Sequence, residues 1–459
     1  MNHHTISFVL LGVLFCLPSG ASAESPALQR LSQAGDEMPG DEVPGDEVPG
    51  DGPSIYPTVS ADGTTVAFMS QATNLVDVKL YDDEVPKHLH IFTRDLATGV
   101  VGLASRAADG TPANAHAMYP DLSADGRLLV FASRASNLVD GTEGKAWRVY
   151  VKNLETGAVQ LISHPNKEMR VFWPRISDNS DYVTFLTHSA EDLGAPAQIY
   201  RHHLPTGELQ PVSSSKDGAP GDGDSRYAEL SANGRYVVFE SQSTNLADVA
   251  TPHGGVFVKD MQTGAVELVA ARSPGAGFEK CRPSVSADGR RVVFYARTTV
   301  RTPDALPGVW QVAVKDLDTD EMRLASTNVK GEPANARSHG ATLSADGRYV
   351  AFQSDASNLP GPGRVRRSPF YLKDLKTGKV VRISPHVPRK EGEPLGSSGV
   401  NHGFASLSAD GSKVVFHSDA PIDSDSRQAQ VYLFESQCSP KHATMRLKCN
   451  DFGSKRGVA

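Results

Sequence analysis

One phrase returns seven times along this chain: Ser, any residue, Asp or Asn, a turn residue, then a strand with Phe in one fixed place. The turn residues are Asp62, Asp125, Asn179, Asn233, Asp288, Asp346 and Asp410. Six positions after each stands a Phe: Phe68, Phe131, Phe185, Phe239, Phe294, Phe352 and Phe416. Two before each stands a Ser, from Ser60 to Ser408. Such regularity means one supersecondary unit repeated, the mark of a solenoid or a propeller. It constrains the architecture tightly and the function hardly at all, because repeat platforms host unrelated activities.

The unit from Tyr119 to Ser163 shows what is repeated. A short strand ends at Leu122-Ser123, and Asp125-Gly126 follows as a hairpin turn, since Asp-Gly accepts the positive φ of tight hairpins. Leu128 to Ser133 alternates, with Leu129 and Phe131 on one face. Val149-Tyr150-Val151 is a third strand, Thr156-Gly157 a second turn, and Val159 to Ser163 a fourth strand. Four short antiparallel strands cannot bury both faces alone; stacked around an axis they can, and that is a propeller blade. The fixed Phe is expected in the core between blades. Third strands recur seven times, at Ile91, Val149, Ile199, Val256, Val312, Phe370 and Val431, but fourth strands follow only six of them. A matching strand, Leu28 to Ser32, stands alone near the N-terminus. The expected fold is therefore all-β: a seven-bladed β-propeller whose N-terminal strand completes the last blade and removes the open edge.

The wording of the repeat, SADGTTVAF, SADGRLLVF, SANGRYVVF, SADGRRVVF, SADGRYVAF and SADGSKVVF with a degenerate SDNSDYVTF in the third blade, resembles the TolB-type WD-like propeller repeat of bacterial extracytoplasmic proteins. The companion IFTRDLATG and FVKDMQTG match that family's third strand and turn. The resemblance spans most of the chain and implies the propeller fold. This chain differs from TolB itself in having no N-terminal α/β domain, one blade more, and Ala where the TolB turn has Pro.

Residues 1–23 read as a secretory signal, with an apolar stretch from Phe8 to Leu17 too short to span a bilayer and Ala21-Ser22-Ala23 as the cleavage site. Residues 24–34 hold the latch strand, 35–52 an acidic Pro/Gly linker, 53–436 the propeller and 437–459 a tail. The expected address is periplasmic or secreted, with no integral membrane segment. In the tail, a disulfide between Cys438 and Cys449 suits an oxidising compartment, against two unpaired thiols as the alternative; Cys281 reads as a packed residue. The net charge of −7 comes from the linker, which holds seven acids between residues 36 and 51; the rest balances, so no nucleic-acid groove is indicated. The linker reads as an extended, solvated arm.

Six residues before each turn Asp or Asn stand Tyr56, Tyr119, Trp173, Tyr227, Arg282, Gly340 and Phe404, five of them aromatic in a chain that is 7% aromatic. A circle of rings at the channel mouth suits stacking on a sugar or gripping a peptide. The structural alternative is that each ring wedges beside the Pro that follows at Pro57, Pro120, Pro174 and Pro283. Three His on neighbouring loops, His116, His339 and His402, invite comparison with the seven-bladed oligogalacturonate lyases, but their unequal offsets argue against convergence on one metal. No Gly-x-Ser-x-Gly elbow, Walker loop or dinucleotide fingerprint occurs. The sequence thus reads as a monomeric, non-enzymatic propeller without cofactor or metal, binding an envelope protein, peptide or glycan through its rim. A polysaccharide lyase or hydrolase at the channel mouth is the alternative.

Overall fold

The computed structural model describes residues 28–34, 48–80, 87–142, 146–162, 169–189, 192, 194–272, 282–297, 308–361, 368–384, 405–418 and 429–436. Their strands form seven four-stranded antiparallel sheets. Six sheets use consecutive strands, the first being Ser54–Val59, Thr65–Ser70, His90–Asp95 and Val101–Leu103, from the axis outward. The seventh joins Ala405–Leu407, Lys413–Ser418 and Gln430–Glu435 to Leu28–Arg30. Leu28 lies opposite Phe434 and Arg30 opposite Tyr432. The chain is a seven-bladed β-propeller closed by its N-terminal strand, as the strand count required. The signal segment, the Cys438–Cys449 tail and Cys281 lie outside the described residues.

The repeated Ser and Asp form one hydrogen-bonded turn. Ser123 Oγ donates to Asp125 Oδ1 at 2.7 Å and accepts from Leu128 N at 2.9 Å, while Asp125 Oδ1 accepts from Arg127 N at 3.0 Å. Small size is also needed at the turn Gly. At Gly234, with φ +67°, a Cβ would stand 2.3 Å from the Tyr182 ring of the preceding blade.

The fixed Phe residues are all fully buried, and each belongs to a cluster joining two blades. Phe131 packs with Ala67, Met69 and Ile91 of the blade before it. Phe68 packs with Val415, Val431 and Leu433 of the last blade and with Leu31 beside the latch strand, so the same contact closes the ring. Buried cations add a second tie between blades: Lys152, Lys259 and Lys373 send Nζ back to the carbonyls of Arg106 (2.7 Å), Ser214 (2.9 Å) and Thr327 (3.2 Å) on the preceding blade's outgoing loop. This explains the basic residue of the companion motif.

One part of the linker differs from expectation. Residues 48–52 are built into the first blade: Pro49 pairs with Gln33, and Asn74 Nδ2 donates to the Pro49 carbonyl at 2.8 Å. The same clamp holds Pro112 by Asn137, Pro220 by Asn245 and Pro333 by Asn358. The last Val-Pro-Gly-Asp run of the linker carries the Pro that the other blades supply from their own loops, so the side-chain clamp overrides its flexible composition. Residues 35–47 lie outside the described residues.

Candidate functional site: the axial channel

Five innermost strands, those of the first four blades and the sixth, carry a β-bulge opposite their own blade's fixed Phe. In the first blade Ile55 pairs with Met69 and Thr58 with Ala67, leaving Tyr56 and Pro57 opposite Phe68. The same two-against-one arrangement places Tyr119-Pro120 opposite Phe131, Trp173-Pro174 opposite Phe185 and Tyr227-Ala228 opposite Phe239. The first residue of these bulges has positive φ, 52° at Tyr56, 59° at Tyr119, 46° at Trp173 and 57° at Tyr227, and Arg282, at the same repeat position just before the fifth blade's innermost strand, has φ 26°. In the sixth blade Gly340 takes this place with φ 60°. For bulky side chains this backbone region costs on the order of 1–3 kcal/mol each. The bulge turns their side chains toward the axis.

The expectation set these residues on a loop rim. Tyr56, Tyr119, Trp173 and Tyr227 are instead within the innermost strands, where they line the channel just inside its mouth. They form a continuous arc. Tyr56 meets Tyr119 edge-on at 5.6 Å, Tyr119 meets Trp173 at 5.6 Å, and Trp173 meets Tyr227 at 5.1 Å between ring centroids. The Arg282 guanidinium covers the Tyr227 ring at 4.6 Å. All five are half-buried, and the Pro residues behind them are buried. Phe404 lies outside the described residues. Behind the arc, Met69 Sδ accepts a hydrogen bond from Tyr119 N at 3.2 Å, and His417 stacks on Tyr56 at 6.0 Å. Burial pushes the His417 imidazole down to about 4.

Two residues further along each innermost strand lies a polar layer that the sequence reading missed. It comprises Thr58, Asp121, Arg175, Glu229, Ser284, Thr342 and Ser406, all on the channel wall. Arg175 Nε donates to Glu229 Oε1 at 2.9 Å, and Asp121 Oδ2 accepts from Ile176 N at 2.9 Å. This layer is deep in the molecule yet open to the channel: the Arg175 and Glu229 side chains keep 33% and 34% exposure. Burial raises the Asp121 carboxyl to about 7, with Glu229 adding to the rise and Arg175 opposing it. Burial pulls the Arg175 guanidinium down, but Glu229 and Asp121 more than offset this and hold it above its ordinary value. The signal in the sequence was a polar residue at one fixed repeat position, with charge confined to the second, third and fourth blades.

At the turn end the channel wall is a belt made mostly of small residues, among them Ala61, Ala232, Ala287, Ala345 and Ala409. Backbone hydrogen bonds run between neighbouring turns, from Ala232 N to Ala287 O (2.9 Å), Ala287 N to Ala345 O (2.8 Å) and Ala409 N to Ala61 O (2.7 Å). The degenerate third blade puts Asp178 where the other six repeats have Ala. Asp178 lines the same cavity, and burial and then Glu229 raise its carboxyl. The cavity has a volume of about 230 Å³.

Of the His residues weighed as ligands, the two among the described residues, His116 and His339, are not on this channel wall. His116 Nδ1 accepts from Leu89 N at 3.0 Å and its ring meets His88 at 5.0 Å. His339, four blades on, is buried with its ring 6.5 Å from Tyr295. His402 lies outside the described residues. Of the His202-His203 pair, His203 Nδ1 bonds Thr206 Oγ1 at 2.8 Å, taking the turn-capping place that Asp95 or Asp374 holds in other blades.

The fold and this channel define a β-propeller with an axial pocket. No protein-family model matches the chain, and no curated protein matches it in sequence. Solved structures do resemble it. TolB from Acinetobacter baumannii is 18% identical over 59% of this chain, with a TM-score of 0.38, and the chain spans 53% of that protein's length. The β-propeller domain of the Trilobed protease from Pyrococcus furiosus is 12% identical, with a TM-score of 0.50, over 83% of this chain and 95% of that one. The acylaminoacyl peptidase of Pyrococcus horikoshii is 13% identical over 83% of this chain and 51% of its own, with a TM-score of 0.48. At these identities the likeness is one of fold alone.

Proposed function

We propose that this chain is an exported, non-enzymatic propeller that binds a protein, peptide or glycan by its end at the mouth of the axial channel. One observation carries the reading. Four aromatic residues at bulges, and Arg282 at the same repeat position, have positive φ where Gly340 shows a glycine can stand, and their side chains are gathered into a single arc on the channel wall. A bulge needed only for packing is served by Gly without strain. Half-buried rings at a concave site supply large contact area with little conformational entropy to lose. The cavity volume suits an end group rather than a whole oligomer.

The test is a titration with short peptides and soluble oligosaccharides, comparing the parent with a Tyr119→Gly/Trp173→Gly double variant. Gly accepts the backbone conformation, so the fold is expected to survive. Binding at least about tenfold weaker with a melting temperature within a few degrees supports the proposal; equal binding by the double variant contradicts it. Export is checked separately, by N-terminal sequencing of protein recovered from the cell envelope or medium, where the reading expects Glu24 first.

A second reading, hydrolysis of a polysaccharide, has one observation in its favour. Burial raises the Asp121 carboxyl to about 7, the range of a general acid, and Glu229, paired with Arg175, stands on the same channel wall as a second carboxyl. Analysis of the same oligosaccharides for cleaved products decides it, and Asp121→Asn must abolish any release found.

A further inference from the structure

The polar layer and the turn belt together give the channel a charge preference. Beneath the aromatic arc stand three carboxylates, Asp121, Glu229 and Asp178, and one guanidinium, Arg175. Arg175 is already engaged by Glu229 at 2.9 Å. The three acids feel one another: Glu229 raises both Asp121 and Asp178, and Asp178 adds to the rise at Asp121. Like charges crowded on a low-dielectric wall are relieved by a cation of matching reach. The approach to them is lined by the faces and edges of Tyr56, Tyr119, Trp173 and Tyr227, and rings of this kind attract cations. Arg282 over the Tyr227 ring at 4.6 Å is an internal instance of that contact. Asp178 is the informative residue, because six other blades show that Ala completes the belt.

We propose that the channel selects a ligand ending in a primary ammonium group, which passes the aromatic arc and is held by the carboxylates of Asp121, Glu229 and Asp178. This rests on the binding-site reading above and names the chemistry of its ligand. An ammonium has three donors and is small enough to enter ahead of an extended chain. Two kinds of molecule carry it in this form, a peptide through its α-ammonium or a Lys side chain, and an oligosaccharide of amino sugars.

The experiment titrates two matched pairs of probes into the full chain by calorimetry: tetraglycine against N-acetyl-tetraglycine, and a glucosamine tetramer against its fully N-acetylated counterpart. In at least one pair the free amine is expected to bind about tenfold or more tighter than the acetylated form, from charge-assisted hydrogen bonding. The pair that discriminates identifies the source. Asp178→Ala restores the belt residue of the other blades, so it should melt normally and weaken the amine probe by at least about threefold. Glu229→Gln should do the same, checked by its melting curve because Arg175 loses a charged partner. Equal binding of the free and acetylated members of both pairs overturns the inference, while their joint loss in the Tyr119→Gly/Trp173→Gly variant would leave the mouth reading standing. No binding by either amine removes the inference as well. Discrimination unaffected by Asp178→Ala and Glu229→Gln also overturns it, since the ammonium would then be held elsewhere.

Discussion

Phe239, Asp121 and His417 show three different fates of a side chain brought inside this ring. Phe239 is fully buried between blades, against Leu186, Ile199 and Val212 of the third. Truncation to Ala should cost on the order of 3–5 kcal/mol, measured by denaturant unfolding; an unchanged midpoint would remove the Phe row from the core. Asp121 titrates against the fold. Between its ordinary 3.8 and about 7 the unfolded chain releases a proton that the folded chain keeps, so this group lowers stability as pH rises through that window. Asp121→Asn should therefore melt higher than the parent at pH 8 and gain nothing near pH 3.5. His417 has the opposite sense. Its folded value of about 4 lies below 6.5, so the unfolded chain takes up a proton first and stability is lost as pH falls through that interval. His90, lowered by burial to about 4, contributes in the same direction. His417→Met, which installs the residue that Met69 supplies beneath Tyr119, should lose less melting temperature between pH 7 and 4 than the parent. A parallel decline would show that His417 is not among the groups responsible.

At the scale of elements, the turn, the bulge and the latch strand are separable tests. The bulge ties two sequence signals into one device. The fixed Phe and the residue six before each turn were legible as independent repeats, yet they face each other across one irregularity in the strand pair. That link was hidden because only two residues of the innermost strand follow the bulge, too few for the break in alternation to show. It also yields a prediction. At Trp173, with φ 46°, Gly should be tolerated whereas Val should be destabilising beyond the loss of the ring, because a β-branched residue resists this backbone. A Val variant as stable as the Gly variant would argue that the left-handed bulge is not retained. The latch was legible from a bare count of third and fourth strands, and it pairs antiparallel with Gln430–Glu435 as the fourth strand of the last blade. Deleting residues 24–34 should lower the melting temperature and broaden the transition, because the last blade keeps an open edge and Leu31 leaves the closing cluster. Identical melting of the two proteins would contradict closure by this strand. The Pro clamp was not legible, since the Asn that grips Pro49 lies 25 positions away on another loop.

For the whole molecule, seven near-identical units make a symmetrical scaffold, and function must come from where the symmetry is broken. The aromatic arc fills four consecutive blades, Arg282 follows, and Gly340 leaves a gap. The charged layer is confined to the second, third and fourth blades, and Asp178 is the one acid in the belt. The arc, the charged layer and Asp178 coincide on the second, third and fourth blades, one side of the channel. The arc was legible because ring-bearing residues are conspicuous at a fixed offset. Asp121, Arg175 and Glu229 were not, because a polar residue at a fixed strand position reads as an exposed face until the axis it faces is known. The central claim is that this side of the channel is where a ligand docks. The chain contains three Trp residues, Trp147, Trp173 and Trp310, and each gives its own indole N–H signal in a proton–nitrogen correlation spectrum. Trp173 is in the arc, while Trp147 packs with Phe172 and Trp310 with Tyr295. Titrating tetraglycine and the glucosamine tetramer should move the Trp173 signal in a saturable way, with the other two shifting much less. A Trp173 signal that stays fixed while either probe binds would place the site elsewhere and contradict the account.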